Sequence, residues 1–243
     1  MLEIENLKVS IEEKLIINNL SLSIKPGEIH AIMGPNGSGK STIAHALAGK
    51  MGYEVSAGSI MLNNKNLLDM SPTERSLEGL FLAFQYPTEI PGVTNATYLR
   101  QIMNSHRSHK GDSPIEAGEF LKILKEKSKQ LGISNDMHTR FVNTGFSGGE
   151  KKKNEVLQMD LLSPKLIIMD ETDSGLDVDA LKLAAEAVNR LKSSKNSFII
   201  ITHYLRLLEY IVPDHVHIFK DGNIVESGNK DLADHIDQKG YVK

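Results

Sequence analysis

One glycine-rich segment near the N-terminus carries the strongest signal in the sequence: Gly34-Pro35-Asn36-Gly37-Ser38-Gly39-Lys40-Ser41-Thr42. It fits the pattern G-x-x-x-x-G-K-[ST], and it separates a strand-like run from a helix-like run that begins at Lys40. Glycines let backbone N–H groups turn inward around an anion, and the following helix presents its positive dipole end to the same place. The segment predicts a phosphate site in which Lys40 reaches the β- and γ-phosphates and the Ser41 hydroxyl binds Mg²⁺. The alternative is a tight glycine turn without a ligand.

Two carboxylates follow an uninterrupted apolar run at 166–169. The run is typical of a buried strand, which would deliver Asp170 and Glu171 to its carboxyl end. Next to a phosphate loop, Asp170 is expected to hold the Mg²⁺ shell and Glu171 to polarise the attacking water. Without such a loop, the same pattern is typical of an acidic turn.

A second glycine pair opens a helix much later in the chain, in the segment Phe146-Ser147-Gly148-Gly149-Glu150. A hydroxyl residue and two glycines before a helix again suit a backbone anion site. A single Mg-nucleotide has little use for two such sites. The economical interpretation is two copies facing head to tail, each lending Ser147, Gly148 and Gly149 to the other's nucleotide. Alone, a Ser-Gly-Gly sequence is commonly a plain loop.

Composition restricts the class of protein. The 243 residues are 40% hydrophobic and 24% charged, as in a globular protein, and the formal net charge is −3. Nucleic acid is therefore not expected as a partner, because phosphate binding needs a basic surplus. The chain has no cysteine, which excludes disulfides and thiolate metal sites within it. It has neither a membrane-spanning apolar run nor a start typical of a secretory signal, so we expect a cytoplasmic location and no membrane insertion.

Apolar strands alternating with helical segments predict an α/β fold with a mainly parallel sheet. Strands are predicted at 2–11, 15–24, 28–33, 80–84, 166–169 and 197–201, and helices from Lys40, at 120–129 and at 181–191. Ser71 predicts a capping box, and Asp221-Gly222 predicts a hairpin. We expect one domain over 1–243, with a catalytic α/β lobe at 1–86 and 160–243 and a helical subdomain at 87–159.

The ordered motifs resemble those of ATP-binding-cassette ATPases over essentially the whole chain. The resemblance implies a P-loop NTPase core with β and helical subdomains, and hydrolysis of Mg-ATP at a composite dimer interface. It also implies roles for single residues. Gln85 would sense Mg²⁺ and the attacking water, and Asp177 would lie in the loop that links the two sites. Glu171 would be the catalytic base, and His203 would contact the γ-phosphate. Ser147, Gly148, Gly149 and Glu150 would contact ATP across the dimer.

Within that family, the segments at 84–93, 146–155, 173–181 and 202–204 are most similar to the ATPase subunits of SUF-type iron–sulfur cluster assembly. This resemblance implies SufB-like and SufD-like scaffold proteins as partners, and an ATP-dependent head-to-tail dimer that reshapes the scaffold. The chain departs from the general cassette pattern in having no aromatic residue before Tyr53. Adenine is therefore expected to rest on aliphatic side chains near 14–17. It also has Glu150 where glutamine is common.

Two other functions stay open at this point. The chain could be the ATPase subunit of a membrane transporter, or a nucleotide-gated binding module that does not hydrolyse ATP. Glu171 and His203 argue against the second. The histidines His215 and His217 share one face of a strand-like run, where they could bind a metal ion. A third ligand is not evident in the sequence, so surface or packing roles are favoured.

Overall fold

The computed structural model describes residues 1–171, 178–202 and 205–240, with the backbone alone at 178–180 and 237–239. The strands are β1 Leu2–Ile11, β2 Lys14–Ile24, β3 Ile29–Met33, β4 Glu54–Leu62, β5 Lys65–Asn66, β6 Leu80–Ala83, β7 Ile90–Thr94, β8 Phe141–Val142, β9 Leu166–Asp170, β10 Ser197–Ile201, β11 His215–Lys220 and β12 Asn223–Gly228. The helices are α1 Lys40–Ala48, α2 Pro72–Leu77, α3 Asn95–His109, α4 Ala117–Gln130, α5 Gly148–Leu162, α6 Val178–Leu191, α7 Leu205–Tyr210 and α8 Lys230–Lys239. The predicted strands are confirmed, with ends that differ by at most one residue.

The chain forms two compact units, the first from Met1–Gln85, Pro164–Ser174 and Val188–Lys243. Its six-stranded sheet has the order β12-β11-β3-β10-β9-β6, and every neighbouring pair is parallel except β11 and β12. Strands β3, β9 and β10 are buried along their whole length, which explains why their sequences are mostly apolar. Because the strands are parallel, the residues after β3, β6 and β9 meet at one edge. The predicted α/β fold with a mainly parallel sheet is correct.

A second sheet of this unit is antiparallel, in the order β2-β1-β4-β5. Strand β4 was not among the predicted strands, because a bulge hides its alternation. The register against β1 shifts between Glu5 and Val9, opposite Gly58, which has a φ of 91°. A Cβ on Gly58 would lie 2.5 Å from the Glu5 carbonyl oxygen, so only glycine allows the two backbones to approach this closely.

A predicted hairpin turn and a predicted helix capping box of the first unit are both confirmed. The β11–β12 turn has a φ of 51° at Asp221 and 78° at Gly222, the paired positive values of a tight hairpin. Helix α2 begins with a capping box in which the Ser71 side chain accepts from the Glu74 N–H and the Glu74 carboxylate accepts from the Ser71 N–H.

The second unit comprises Tyr86–Ser163 and Gly175–Ala187 and is mainly helical, with α3, α4 and α5 packed together. The predicted helix at 120–129 is confirmed within α4. A short antiparallel pair, β7 with β8, is an addition to the prediction, because a two-residue strand leaves no periodic pattern. The functional division at 87–159 stays a prediction. Over the described ranges, every helix is too short or too polar to span a bilayer.

Candidate functional site

The glycine-rich loop joins the carboxyl end of β3 to the start of α1. A Cβ on Gly34 would lie 2.0 Å from the carbonyl oxygen of Phe219 in β11, so this position accepts only glycine. Gly39 caps α1 with a left-handed φ of 102° and supplies no side-chain acceptor. The first N–H groups of α1 therefore need an acceptor from outside the helix, as an anion would provide.

Two polar side chains inside the loop suit an anionic ligand. Lys40 is only 4% exposed, and its Nζ donates to the carbonyl oxygens of Gly34 at 2.8 Å and Pro35 at 3.0 Å. Burial lowers the pKa of Lys40, while the charges of Glu171 and Asp170 oppose that shift. The buried Ser38 Oγ has no hydrogen-bond partner in the part of the chain that the structure describes. A phosphate oxygen would accept hydrogen bonds from both groups.

The predicted metal ligands lie side by side at the same sheet edge. Asp170 ends β9, and its Oδ1 accepts a hydrogen bond of 3.0 Å from Ser41 Oγ in α1. Burial, assisted by the charge of Glu171, raises the pKa of Asp170 to about 6, against the Ser41 hydrogen bond and the charge of Lys40. A hydroxyl and a carboxylate are oxygen donors of the kind that Mg²⁺ prefers, so these residues fit the ion.

Glu171 is held in a conformation that the sequence does not reveal. Its φ of 44° lies in the left-handed region, and its backbone N–H donates to the Ile201 carbonyl at 2.9 Å. One carboxylate oxygen accepts from Gln85 Nε2 at 3.1 Å, and the other lies 3.9 Å from Lys40 Nζ. A non-glycine residue in this region costs on the order of 1–2 kcal/mol, a strain that is common at functional sites.

The serine–glycine segment of the second unit has a different geometry. Ser147 caps α5 in a capping box, in which its Oγ accepts from the Glu150 N–H and Glu150 accepts from the Ser147 N–H. Gly148 and Gly149 are helical, without positive φ, and a Cβ on either would meet no described atom within 4 Å. Neither backbone strain nor packing within the described chain explains these two glycines.

Arg140 supports this helix start, a role that sequence reasoning missed. Its guanidinium donates to Glu150 at 2.8 Å and to the Gly145 carbonyl at 2.6 Å, and it lies 4.4 Å from the centre of the Phe146 ring. The hydrogen bond from the Ser147 backbone lowers the pKa of Glu150, and the pairing with Arg140 adds to this shift, whereas desolvation opposes it. The sequence does contain the S-x-x-E spacing from Ser147 to Glu150, which predicts the capping box that Arg140 supports.

The predicted residues therefore fall into two groups. In the first unit, the loop residues gather with the metal and catalytic candidates: Gly34, Pro35, Asn36, Gly37, Ser38, Gly39, Lys40, Ser41, Thr42, Gln85, Asp170 and Glu171. In the second unit, one helix start is formed by Ser147 and Gly148, which are exposed, and by Gly149 and Glu150, which are half-buried. Asp177 and His203 lie outside the described residues, so their roles stay predictions.

Comparison with known proteins identifies the family. The chain matches the family model described as ABC transporter over residues 17–174. It is 52% identical over 241 residues to the Escherichia coli (strain K12) protein named "Probable ATP-dependent transporter SufC", a match that covers 99% of this chain and 97% of that one.

Two solved structures have the same fold. The "Structure of ATP binding subunit of ABC transporter" aligns with a TM-score of 0.80 and 25% identity, over 99% of this chain and 93% of that one. A dimeric ATP-binding cassette bound to ADP and Pi aligns with a TM-score of 0.79 and 20% identity, over 94% of this chain and 98% of that one. The chain is thus a nucleotide-binding ATPase that belongs to the ATP-binding-cassette family, in its SufC-type branch.

Proposed function

We propose that this ATPase drives iron–sulfur cluster assembly, by closing two copies on Mg-ATP while bound to SufB-like and SufD-like scaffold proteins in the cytoplasm. The observation that carries the two-copy arrangement is the exposed helix start at Ser147, whose glycines have no structural reason within the described chain. Similarity to SufC over 99% of the chain supports the choice of pathway.

The first unit would perform the chemistry. Gly34 to Thr42 would wrap the phosphates, with Lys40 against the β- and γ-oxygens. Ser41, Asp170 and Gln85 would hold Mg²⁺, which neutralises charge on the phosphates when bound. Glu171 would accept the proton of a water whose oxygen bonds to the γ-phosphorus. The bond to the β–γ bridging oxygen breaks, and ADP and inorganic phosphate leave.

The second unit would act on the nucleotide of the other copy. Ser147 and the backbone N–H groups of Gly148 and Gly149 would contact the γ-phosphate there, with Glu150 holding the turn. His203 and Asp177 keep the roles that the family resemblance gives them, at the γ-phosphate and in the loop between the two sites. Leu15 of β2 is 47% exposed and is an aliphatic candidate to contact adenine. Net negative charge on both copies favours a monomer in the absence of nucleotide and scaffold.

A transporter subunit is the alternative, because the E. coli relative carries a transporter name. Tyr86 in the second unit is 80% exposed, which offers an apolar contact for either kind of partner. The partners discriminate between the two functions. A pull-down from the native cell, analysed by mass spectrometry, is expected to recover scaffold proteins without membrane spans. Recovery of membrane-embedded subunits instead would reverse the assignment.

The catalytic part has its own test. Glu171→Gln keeps the size of the side chain but removes the base, so ATP turnover is expected to fall by about 10²–10⁴-fold with nucleotide affinity retained. Equal turnover in the variant and the parent would show that Glu171 is not the base.

A further inference from the structure

A cluster of histidines lies at the edge of the six-stranded sheet opposite the phosphate loop. Strands β3 and β11 are parallel neighbours, and His30 and His215, which lie near the amino-terminal ends of these strands, are paired in register. Glu28 precedes β3 directly. The sequence offered His215 and His217 without a third ligand, and the sheet supplies His30 and Glu28 beside them.

The side-chain atoms of this cluster converge. His30 Nε2 lies 3.0 Å from Glu28 Oε2, and His215 Nε2 lies 3.8 Å from Glu28 Oε1. The candidate ligand atoms of Glu28, His30 and His215 all lie within 4.8 Å of one another. Ligands bound tetrahedrally at about 2.0–2.2 Å are roughly 3.4 Å apart, so small side-chain rotations would complete the geometry.

A second layer fixes the inner histidine. His30 Nδ1 lies 2.9 Å from His217 Nε2, and His217 Nδ1 lies 2.7 Å from Ser227 Oγ. With a metal at His30 Nε2, the His30 proton sits on Nδ1 and is donated to His217, which donates in turn to Ser227. Metal-binding histidines commonly donate their second ring N–H in this way.

The pKa shifts within the cluster act in the direction that favours binding of a cation. Burial lowers the pKa of His30, although its hydrogen bond to Glu28 opposes the shift, and burial lowers the pKa of His217 to about 4. Burial acts to raise the pKa of Glu28, but the hydrogen bonds from His30 and the Lys25 N–H leave that pKa lowered. These directions favour a neutral imidazole at His30 and an ionised carboxylate at Glu28, the forms that bind metal ions.

We propose that Glu28, His30 and His215 bind a divalent transition-metal ion of the Zn²⁺ class, a site separate from the nucleotide site. Two imidazoles and one carboxylate suit Zn²⁺, whereas Mg²⁺ and Ca²⁺ prefer oxygen ligands. His30 is buried at 3% side-chain exposure and His215 is open at 49%, which leaves a path for the ion and a free coordination position on the solvent side.

The test uses the full chain, without a histidine tag, stripped of metal and free of nucleotide. Zn²⁺ affinity is measured by competition with a chromophoric chelator, and Co²⁺ absorption reports tetrahedral coordination. The parent is expected to bind one ion per chain. His215→Ala, at an exposed position, and Glu28→Gln are each expected to weaken binding at least about tenfold and to remove the cobalt bands. His235→Ala changes an exposed histidine outside the cluster and is the matched control. It is expected to keep both the Zn²⁺ affinity and the cobalt absorption bands.

Two further outcomes separate this site from its competitors. Asp170→Asn removes an oxygen ligand at the opposite sheet edge, and it is expected to leave Zn²⁺ affinity unchanged. If Asp170→Asn abolishes binding and His215→Ala does not, the ion occupies the nucleotide site and the proposal is wrong. If the parent binds no Zn²⁺ at micromolar concentration, the cluster is a hydrogen-bonded brace alone, and the proposal is equally wrong.

Discussion

The two glycine-rich helix starts differ in what their glycines do. At the phosphate loop, Gly34 lies against the Phe219 carbonyl, and Gly39 has a left-handed φ, so the fold itself requires them. At the serine–glycine segment, Gly148 and Gly149 have helical backbones and open space around them. A glycine that the fold requires cannot be distinguished by sequence from one that a ligand requires. The open space around the second pair therefore points to an external ligand.

The largest expected contrast is functional. Lys40→Ala removes the ammonium from the phosphate loop, so nucleotide affinity is expected to fall by about 100-fold or more. Ser147→Arg fills the space at the other segment, so affinity should stay within about twofold while turnover falls by about 100-fold. Fluorescent-nucleotide titration and a phosphate-release assay measure the two effects. Equal loss of affinity in both variants would refute the two-copy site.

The second-largest expected contrast is in stability, between two matched alanine variants. Gly34→Ala forces a Cβ against the Phe219 carbonyl, which should lower the free energy of unfolding by about 3 kcal/mol. Gly148→Ala meets open space in a helix, so it should leave that free energy unchanged or raise it by up to about 1 kcal/mol. Urea denaturation compares the two. A Gly148→Ala chain as unstable as Gly34→Ala would mean that the second glycine is also structural.

The contributions of Asp170 and Glu150 to folding stability should change in opposite directions with pH. The pKa of Asp170 is raised in the folded chain, so its contribution to the free energy of unfolding is full at low pH and is lost as the pH rises through about 6. Relative to Asp170→Asn, and without Mg²⁺, the free energy of unfolding of the parent is expected to fall by about 2 kcal/mol between about pH 4 and pH 7. The pKa of Glu150 is lowered, so its contribution is present at neutral pH and is lost on acidification. Relative to Glu150→Gln, the parent should therefore gain stability over the same range.

The smallest expected effect separates capping from catalysis. Ser147→Ala and Ser71→Ala each remove the serine of a capping box, and each should cost about 1 kcal/mol of stability. We expect turnover to fall in Ser147→Ala and to persist in Ser71→Ala, because only the first serine is proposed to contact nucleotide. Parallel loss of turnover in both variants would assign the effect to stability.

Local patterns predicted much of this molecule, and long-range contacts account for what they missed. The strand at 197–201 and the capping box at Ser71 depend on periodicity and on residues three positions apart. The Gly58 bulge, the Phe219 carbonyl against Gly34 and the His30–His215 register each join segments far apart in the chain. Glu171 combines a positive φ with a backbone hydrogen bond to Ile201 in β10, which no local pattern encodes.

Crosslinking tests the two-copy site most directly. Because the chain has no cysteine, a thiol-specific reagent reacts only at cysteines that are introduced. One variant carries Asn36→Cys and a second carries Ser147→Cys, both in the Glu171→Gln background to retain ATP. The two are mixed and treated with a short bismaleimide. We predict a crosslinked dimer between the two variants that requires Mg-ATP and that neither variant gives alone. Absence of that dimer, or its formation without nucleotide, would contradict a triphosphate held between two copies.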